Sequence, residues 1–144
     1  MIRHAGLIAL RSGGTWRGAL IEGPSGAGKS DLALRALSAG FRLVADDRVI
    51  LWVSAGAVFG RAPTTLDGAL EVRGLDVIAV PAIAMAQVAL VVRAGEPERI
   101  PEYNLAEILG VSVPLIELDL RSPSAPAKLR RALEHFDEGF NRRI

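Results

Sequence analysis

The chain contains no cysteine. Disulfides, thiol catalysis and cysteine-ligated zinc are therefore excluded. Histidine is almost as scarce. His4 and His135 are the only two, too few for a metal cage built on imidazoles. No apolar run reaches the ~18 residues that span a bilayer. Charge of one sign is missing as well: 17 Lys and Arg oppose 16 Asp and Glu, a formal net charge of +1. That balance argues against a nucleic-acid coat protein or an acidic buffer. The opening Met1-Ile-Arg-His-Ala5 lacks the basic-then-apolar order of a secretory signal. What is present is a chain of 144 residues, half of them hydrophobic and 23% charged. Such a chain buries a core, and its length suits one domain over 1–144. The expectation is a cytoplasmic protein with neither membrane nor nucleic acid as a partner.

Apolar runs and glycines set the organisation. Residues 5–10 and 18–21 read as two strands around a turn at Arg11–Gly14. A glycine-rich loop follows from Gly23 to Lys29. Leu32, Ala33, Ala36 and Leu37 then recur at helical spacing until Gly40 stops them. Residues 43–45, 49–53, 77–80, 88–92 and 114–118 read as further strands. Gly56 to Gly74 reads as mostly loop with short strand pieces, Ala94 to Glu102 as an exposed connection, and Asn104 to Leu109 as a short helix. A last helix starts near Ser122–Pro126 and carries Leu129, Leu133, Phe136 and Phe140 on one face. Several strands follow one another with no helix between them. The pattern predicts an α/β domain with a mixed sheet.

The loop comprises Gly23, Pro24, Ser25, Gly26, Ala27, Gly28, Lys29 and Ser30. It satisfies G-x-x-x-x-G-K-[ST] at every fixed position, after a strand and before a helix. Glycines open backbone conformations in which successive N–H groups point into one cavity, and the helix N-terminus adds positive potential. The motif predicts that Lys29 reaches the outer phosphates of a nucleotide and that the Ser30 hydroxyl serves Mg²⁺. Asp46-Asp47 ends an apolar strand sixteen positions later. In a phosphoryl-transfer site such a pair supplies an acid near the metal and a base for the attacking hydroxyl. Neighbours on a strand face opposite sides, so the two carboxylates are expected to differ in role. An ordinary Asp-Asp turn is the alternative.

Gly23 to Leu34, Gly40-Phe-Arg-Leu-Val-Ala-Asp-Asp47 and Leu70-Glu-Val-Arg-Gly-Leu75 together resemble the HPr kinase/phosphorylase family. The resemblance runs from about His4 to Pro81. It implies a P-loop kinase domain with a phosphoenolpyruvate carboxykinase-like fold. It also implies ATP- and Mg²⁺-dependent phosphorylation of a serine on HPr, the phosphocarrier of the sugar phosphotransferase system. Many members reverse this by phosphorolysis, and hexamers are common. Starting so near His4, the chain is similar to the short members found in alphaproteobacteria. By the resemblance, Asp46 takes the serine proton and His4 orients that carboxylate. Lys29 holds the β- and γ-phosphates, Ser30 and Glu71 bind Mg²⁺, and Asp47 and Arg73 are supporting charges.

One stretch departs from the family. Its Pro-Gly-Arg-Asn-Leu-Ala stands here as Pro101-Glu-Tyr-Asn-Leu-Ala106, with Tyr103 in place of a catalytic arginine. The loss of that cation weakens the case for phosphorolysis more than for kinase activity. Arg93 or Arg99 would be the nearest substitutes. Arg130, Arg131, Arg142 and Arg143 read as a solvated face, and His135 as a surface residue. Two other functions fit the loop: a P-loop kinase for a small molecule, and a regulatory module that senses ATP without transferring phosphate.

Overall fold

The computed structural model describes residues 1–64 and 67–137. The first half runs β1 (Ile2–Arg3), β2 (Gly6–Ser12), β3 (Thr15–Glu22), α1 (Lys29–Leu37), β4 (Arg42–Ala45), β5 (Val49–Ser54) and β6 (Ala57–Arg61). Then come β7 (Ala69–Val72), β8 (Asp76–Ala79), β9 (Met85–Ala94), β10 (Asn104–Ile108), β11 (Val111–Leu118) and α2 (Ala125–Asp137). Three hairpins share one turn chemistry. Gly13-Gly14 (φ 60° and 84°), Ala55-Gly56 (50° and 77°) and Leu109-Gly110 (51° and 82°) hold positive φ at both central positions. Such turns match the twist of the strands they join. They close β2 on β3, β5 on β6 and β10 on β11.

The main sheet has the order β1-β5-β6-β9-β3-β2-β4, with β11 also beside β9 and β10 beyond it. β7 and β8 pair separately. β3 and β9 are parallel, as are β9 and β11; the other named pairs are antiparallel. The expected mixed α/β sheet is therefore present. β4 runs in the same direction as β3, since each is antiparallel to β2. The carboxyl ends of β4, β3, β9 and β11 thus meet at one edge. Because Gly6 pairs with Ile21, the entry to β2 lies at that edge too.

Both faces of the sheet are covered, so its central strands read as continuous apolar runs. Ile8, Ile21, Leu90 and Val92 face Leu32 and Ala36 of α1 and Leu129 and Leu133 of α2. Leu7, Leu20 and Val91 point the other way, into a cluster with Val49, Leu51 and Ile108. Leu129 and Leu133 are fully buried, as the helical face predicted, and Phe136 packs at the margin. Phe140, Arg142 and Arg143 lie outside the described residues. Among those described, no helix is long and apolar enough to cross a membrane.

Residues 104–109 depart from the helix expected there. They form β10 and its turn, with Ala106 and Ile108 buried and Leu105 half exposed. Alternation against β11 outweighs the helix propensity of Leu, Ala and Glu. Arg130 is also less free than expected: its Nη1 donates to Ala39 O at 3.0 Å, tying α2 to the end of α1.

One glycine is needed for β3 to sit beside β9. A Cβ on Gly18 would meet the Gln87 backbone carbonyl at 2.8 Å and Leu7 Cδ1 at 3.0 Å. Gly18→Ala is expected to cost about 1–3 kcal/mol by overpacking. Urea unfolding checks this: the midpoint falls at constant slope, and an unchanged midpoint would contradict it.

Candidate active site at the carboxyl edge

The loop between β3 and α1 is shaped by glycines where side chains cannot go. A Cβ on Gly23 would come within 2.8 Å of Ala94 Cβ, and Gly28, at φ 103°, starts α1 from the left-handed region. Lys29 folds back along the loop. Its ammonium donates to Gly23 O at 2.5 Å and Pro24 O at 3.1 Å. Ser30, on the first turn of α1, donates its hydroxyl to Asp46 Oδ1 at 2.7 Å.

The acidic pair separates just past β4. The Arg48 amide donates to Asp46 O at 2.8 Å, closing a three-residue turn around Asp47, whose φ is 69°. A non-glycine residue in that region is uncommon and is often found where a site requires it. The turn sends the two carboxylates apart. Asp46 faces Ser30, and its Oδ2 accepts from the Glu71 amide at 3.4 Å. Asp47 faces His4, whose Nε2–H donates to Asp47 Oδ1 at 2.5 Å. His4 is therefore hydrogen-bonded to Asp47, not to Asp46. The cause lies in the topology: His4 enters β2 at the same edge where the turn after β4 delivers Asp47.

The β7–β8 hairpin closes the site from another side. Leu70 is fully buried against the α1 side of the sheet and anchors the hairpin. Strand alternation then leaves Glu71 exposed, with Arg73 on the turn that follows. The resulting cleft holds about 360 Å³. It is lined by His4, Ser25, Gly26, Gly28, Lys29, Ser30, Asp31, Leu34, Asp47, Glu71, Val72, Arg73 and Arg121. His4 and Asp47 are open to solvent, with side chains 65% and 55% exposed, so a substrate hydroxyl has access to them. Gly23, Pro24, Ala27 and Asp46 are not among the lining residues.

Arg121, which sequence reasoning missed, reaches this cleft from the β11–α2 connection. Its Nη2 donates to Gly26 O. The only signal for it is position: a cation directly after a strand that ends at the carboxyl edge. Arg93 pairs with Glu22 at 3.2 Å and does not line the cleft. Nor does Arg99 line the cleft. Tyr103 lies elsewhere. Its hydroxyl and His135 Nε2 are 2.9 Å apart beside a second cavity of about 600 Å³, which shares no lining residue with the first. His135 is thus a partner of Tyr103 and half-buried, not a plain surface residue.

The donors near Ser30 suit a hard cation. The Ser30 hydroxyl and the Asp46 carboxylate are already in contact, and Glu71 is tied to Asp46 through its amide. Among the described residues no group of three or more His, Asp and Glu side chains forms a ready cage. Mg²⁺ fits such a site, because it takes one or two protein oxygens and completes its shell with water and phosphates.

The family model described as HPr Serine kinase C-terminal domain matches residues 4–132. The HPr kinase/phosphorylase of Clostridium tetani is 48% identical over 66 residues, covering 46% of this chain and 22% of that protein. The HPr kinase/phosphorylase of Leptothrix cholodnii is 49% identical over 67 residues, 46% of this chain and 21% of that protein. The matches thus cover about a fifth of these curated relatives. A solved structure, the Hpr(Ser) kinase/phosphatase from Coxiella burnetii, superposes with a TM-score of 0.81 at 23% identity, covering 98% of this chain and 99% of that one.

Proposed function

The chain belongs to the HPr serine kinase C-terminal domain family, and from that premise we propose that it transfers the γ-phosphoryl group of ATP to a serine of HPr. We read it as one cytoplasmic domain acting within a homo-oligomer, with a hexamer favoured by the resemblance. The observation that carries the reading is the His4–Asp47 hydrogen bond, made in the cleft that Lys29 also lines.

Roles follow from contacts. Asp47 is the base. His4 occupies Oδ1, which leaves Oδ2 to receive the serine proton as the serine oxygen attacks the γ-phosphorus. The bond from that phosphorus to the β–γ bridging oxygen breaks, and ADP leaves. Asp46 is the weaker candidate for base, because both its oxygens are engaged by Ser30 and the Glu71 amide. Lys29 exchanges its carbonyl partners for the β- and γ-phosphates. Ser30, Asp46 and Glu71 are the oxygens that would hold Mg²⁺, which when bound neutralises charge on the phosphates. Arg73 lines the same cleft as a supporting cation.

Incubation with γ-labelled ATP and HPr tests the function. Label on an HPr serine is expected. Label on a metabolite would favour a small-molecule kinase, and binding without transfer an ATP sensor. Serine-phosphorylated HPr with excess phosphate tests the reverse direction. Little pyrophosphate is expected, because Tyr103 carries no charge and faces the other cavity.

Glu71→Gln is expected to raise the Mg²⁺ concentration needed for half-maximal transfer several-fold. A neutral amide oxygen is a poorer ligand for a hard cation than a carboxylate. An unchanged Mg²⁺ titration would remove Glu71 from the metal site.

A further inference from the structure

The sheet order gives the cleft a direction. β3, which feeds the phosphate loop, has β2 and then β4 on one side, and β9 and then β11 on the other. Asp46, Asp47 and His4 all come from the β2–β4 side. From the β11 side the charged residue in the lining is Arg121. A nucleotide whose terminal phosphorus sits at Asp47 and whose phosphates follow the loop therefore runs its nucleoside toward Arg121.

Arg121 is held with unusual care for a loop residue. Its amide donates to Asp119 Oδ1 at 3.1 Å, and its Nη2 to Gly26 O. Gly28 leaves room for its stem, since a Cβ there would lie 3.2 Å from Arg121 Cγ. The carbonyls on either side of it, Leu120 O and Ser122 O, both accept from the guanidinium of Arg35, the latter at 2.9 Å. Arg35 Nε in turn donates to Asp31 Oδ2 at 2.9 Å. The loop bearing Arg121 is thus bolted to the helix that begins with Lys29 and Ser30. A guanidinium has five N–H donors and a flat, weakly hydrated face suited to stacking. The Gly26 bond uses one donor and fixes the plane at the lip of the cleft.

We propose that Arg121 binds the nucleoside end of the nucleotide, with its guanidinium stacked on the base while Nη2 stays on Gly26 O. Arg35 is its positioning residue. The proposal rests on the nucleotide-site reading above and adds to it the group that tells a nucleotide from a bare phosphate chain.

Calorimetric titration with MgATP and with magnesium tripolyphosphate separates the two ends. Wild type is compared with Arg121→Met, Arg121→Lys and Arg35→Met. Arg121→Met should weaken ATP about tenfold, in line with a stacked cation, and tripolyphosphate less than twofold. Arg121→Lys keeps the charge but loses the plane, so most of the ATP loss should persist. It also serves if the methionine variant folds poorly. Arg35→Met should give the same one-sided loss, smaller in size. Equal losses for both ligands would make Arg121 a phosphate contact, and no loss for either would make it a loop peg; each result overturns the proposal. Wild type binding neither ligand would instead sink the nucleotide-site reading itself.

Discussion

Asp47→Asn is expected to leave the chain folded and able to bind ATP while cutting phosphoryl transfer by about 10²–10⁴-fold, the usual worth of a general base. Asparagine is the right probe for two reasons. It tolerates the left-handed backbone that Asp47 adopts at φ 69°, where alanine or a β-branched residue would add strain. Its amide oxygen also still accepts from His4 Nε2–H, so the ring keeps its place. What is lost is the capacity to take a proton. Asp46→Asn is the matched control. It weakens the Ser30 contact and should shift the Mg²⁺ requirement while sparing most of the rate at saturating metal. A mild Asp47 variant beside a severe Asp46 variant would reverse the two roles.

Lys29→Met should be nearly as severe, removing transfer by about 10²–10³-fold as expected for the loss of a cation that stabilises transition-state charge. It should also weaken ATP binding at least several-fold, because a charge-assisted bond to phosphate is lost in a partly enclosed cleft. The lysine has a second role. Its bonds to Gly23 O and Pro24 O brace the start of the loop. Thermal melting without nucleotide separates the two, since a loosened loop lowers the melting point and a lost phosphate contact does not. Wild-type turnover in this variant would end the P-loop assignment.

The loop itself was fully legible in the sequence, because glycine, lysine and serine positions there answer to local geometry alone. The central strands were legible too, since burial on two faces leaves long apolar runs such as Val88–Val92, but β6 and β7 fall in the stretch read as mostly loop, where glycines interrupt the apolar pattern. The β10 strand was not. Asn104–Ile108 is short and rich in helix formers, and its turn, Leu109-Gly110, has leucine where Asn or Asp would announce a hairpin. Its conformation is decided by β11, not by its own residues. The acidic pair was found, but which carboxylate meets His4 depends on a single positive φ, and no spacing rule reports that. Arg121 was invisible for a related reason. It lies 95 positions from its partner Gly26, and the contact exists only because β11 is two strands from β3.

The position of β9 has a consequence for how the chain is made. β9 joins three strands: β6 through residues 85–87, β3 through 87–93 and β11 through 91–94. β3 ends at residue 22, so about 70 further residues must be synthesised before its second neighbour is complete. At ~5–20 residues per second that is a wait of roughly 4–14 s. Meanwhile the nascent β2–β3 hairpin presents Ala19, Leu20 and Ile21 along an unpaired edge, the kind of surface that chaperones shield and that other chains can pair with. The strand that leads into the phosphate loop thus waits for a partner made about 70 residues later. A chain cut short before residue 85 keeps the whole motif and lacks the strand that pairs with β3 on its second edge.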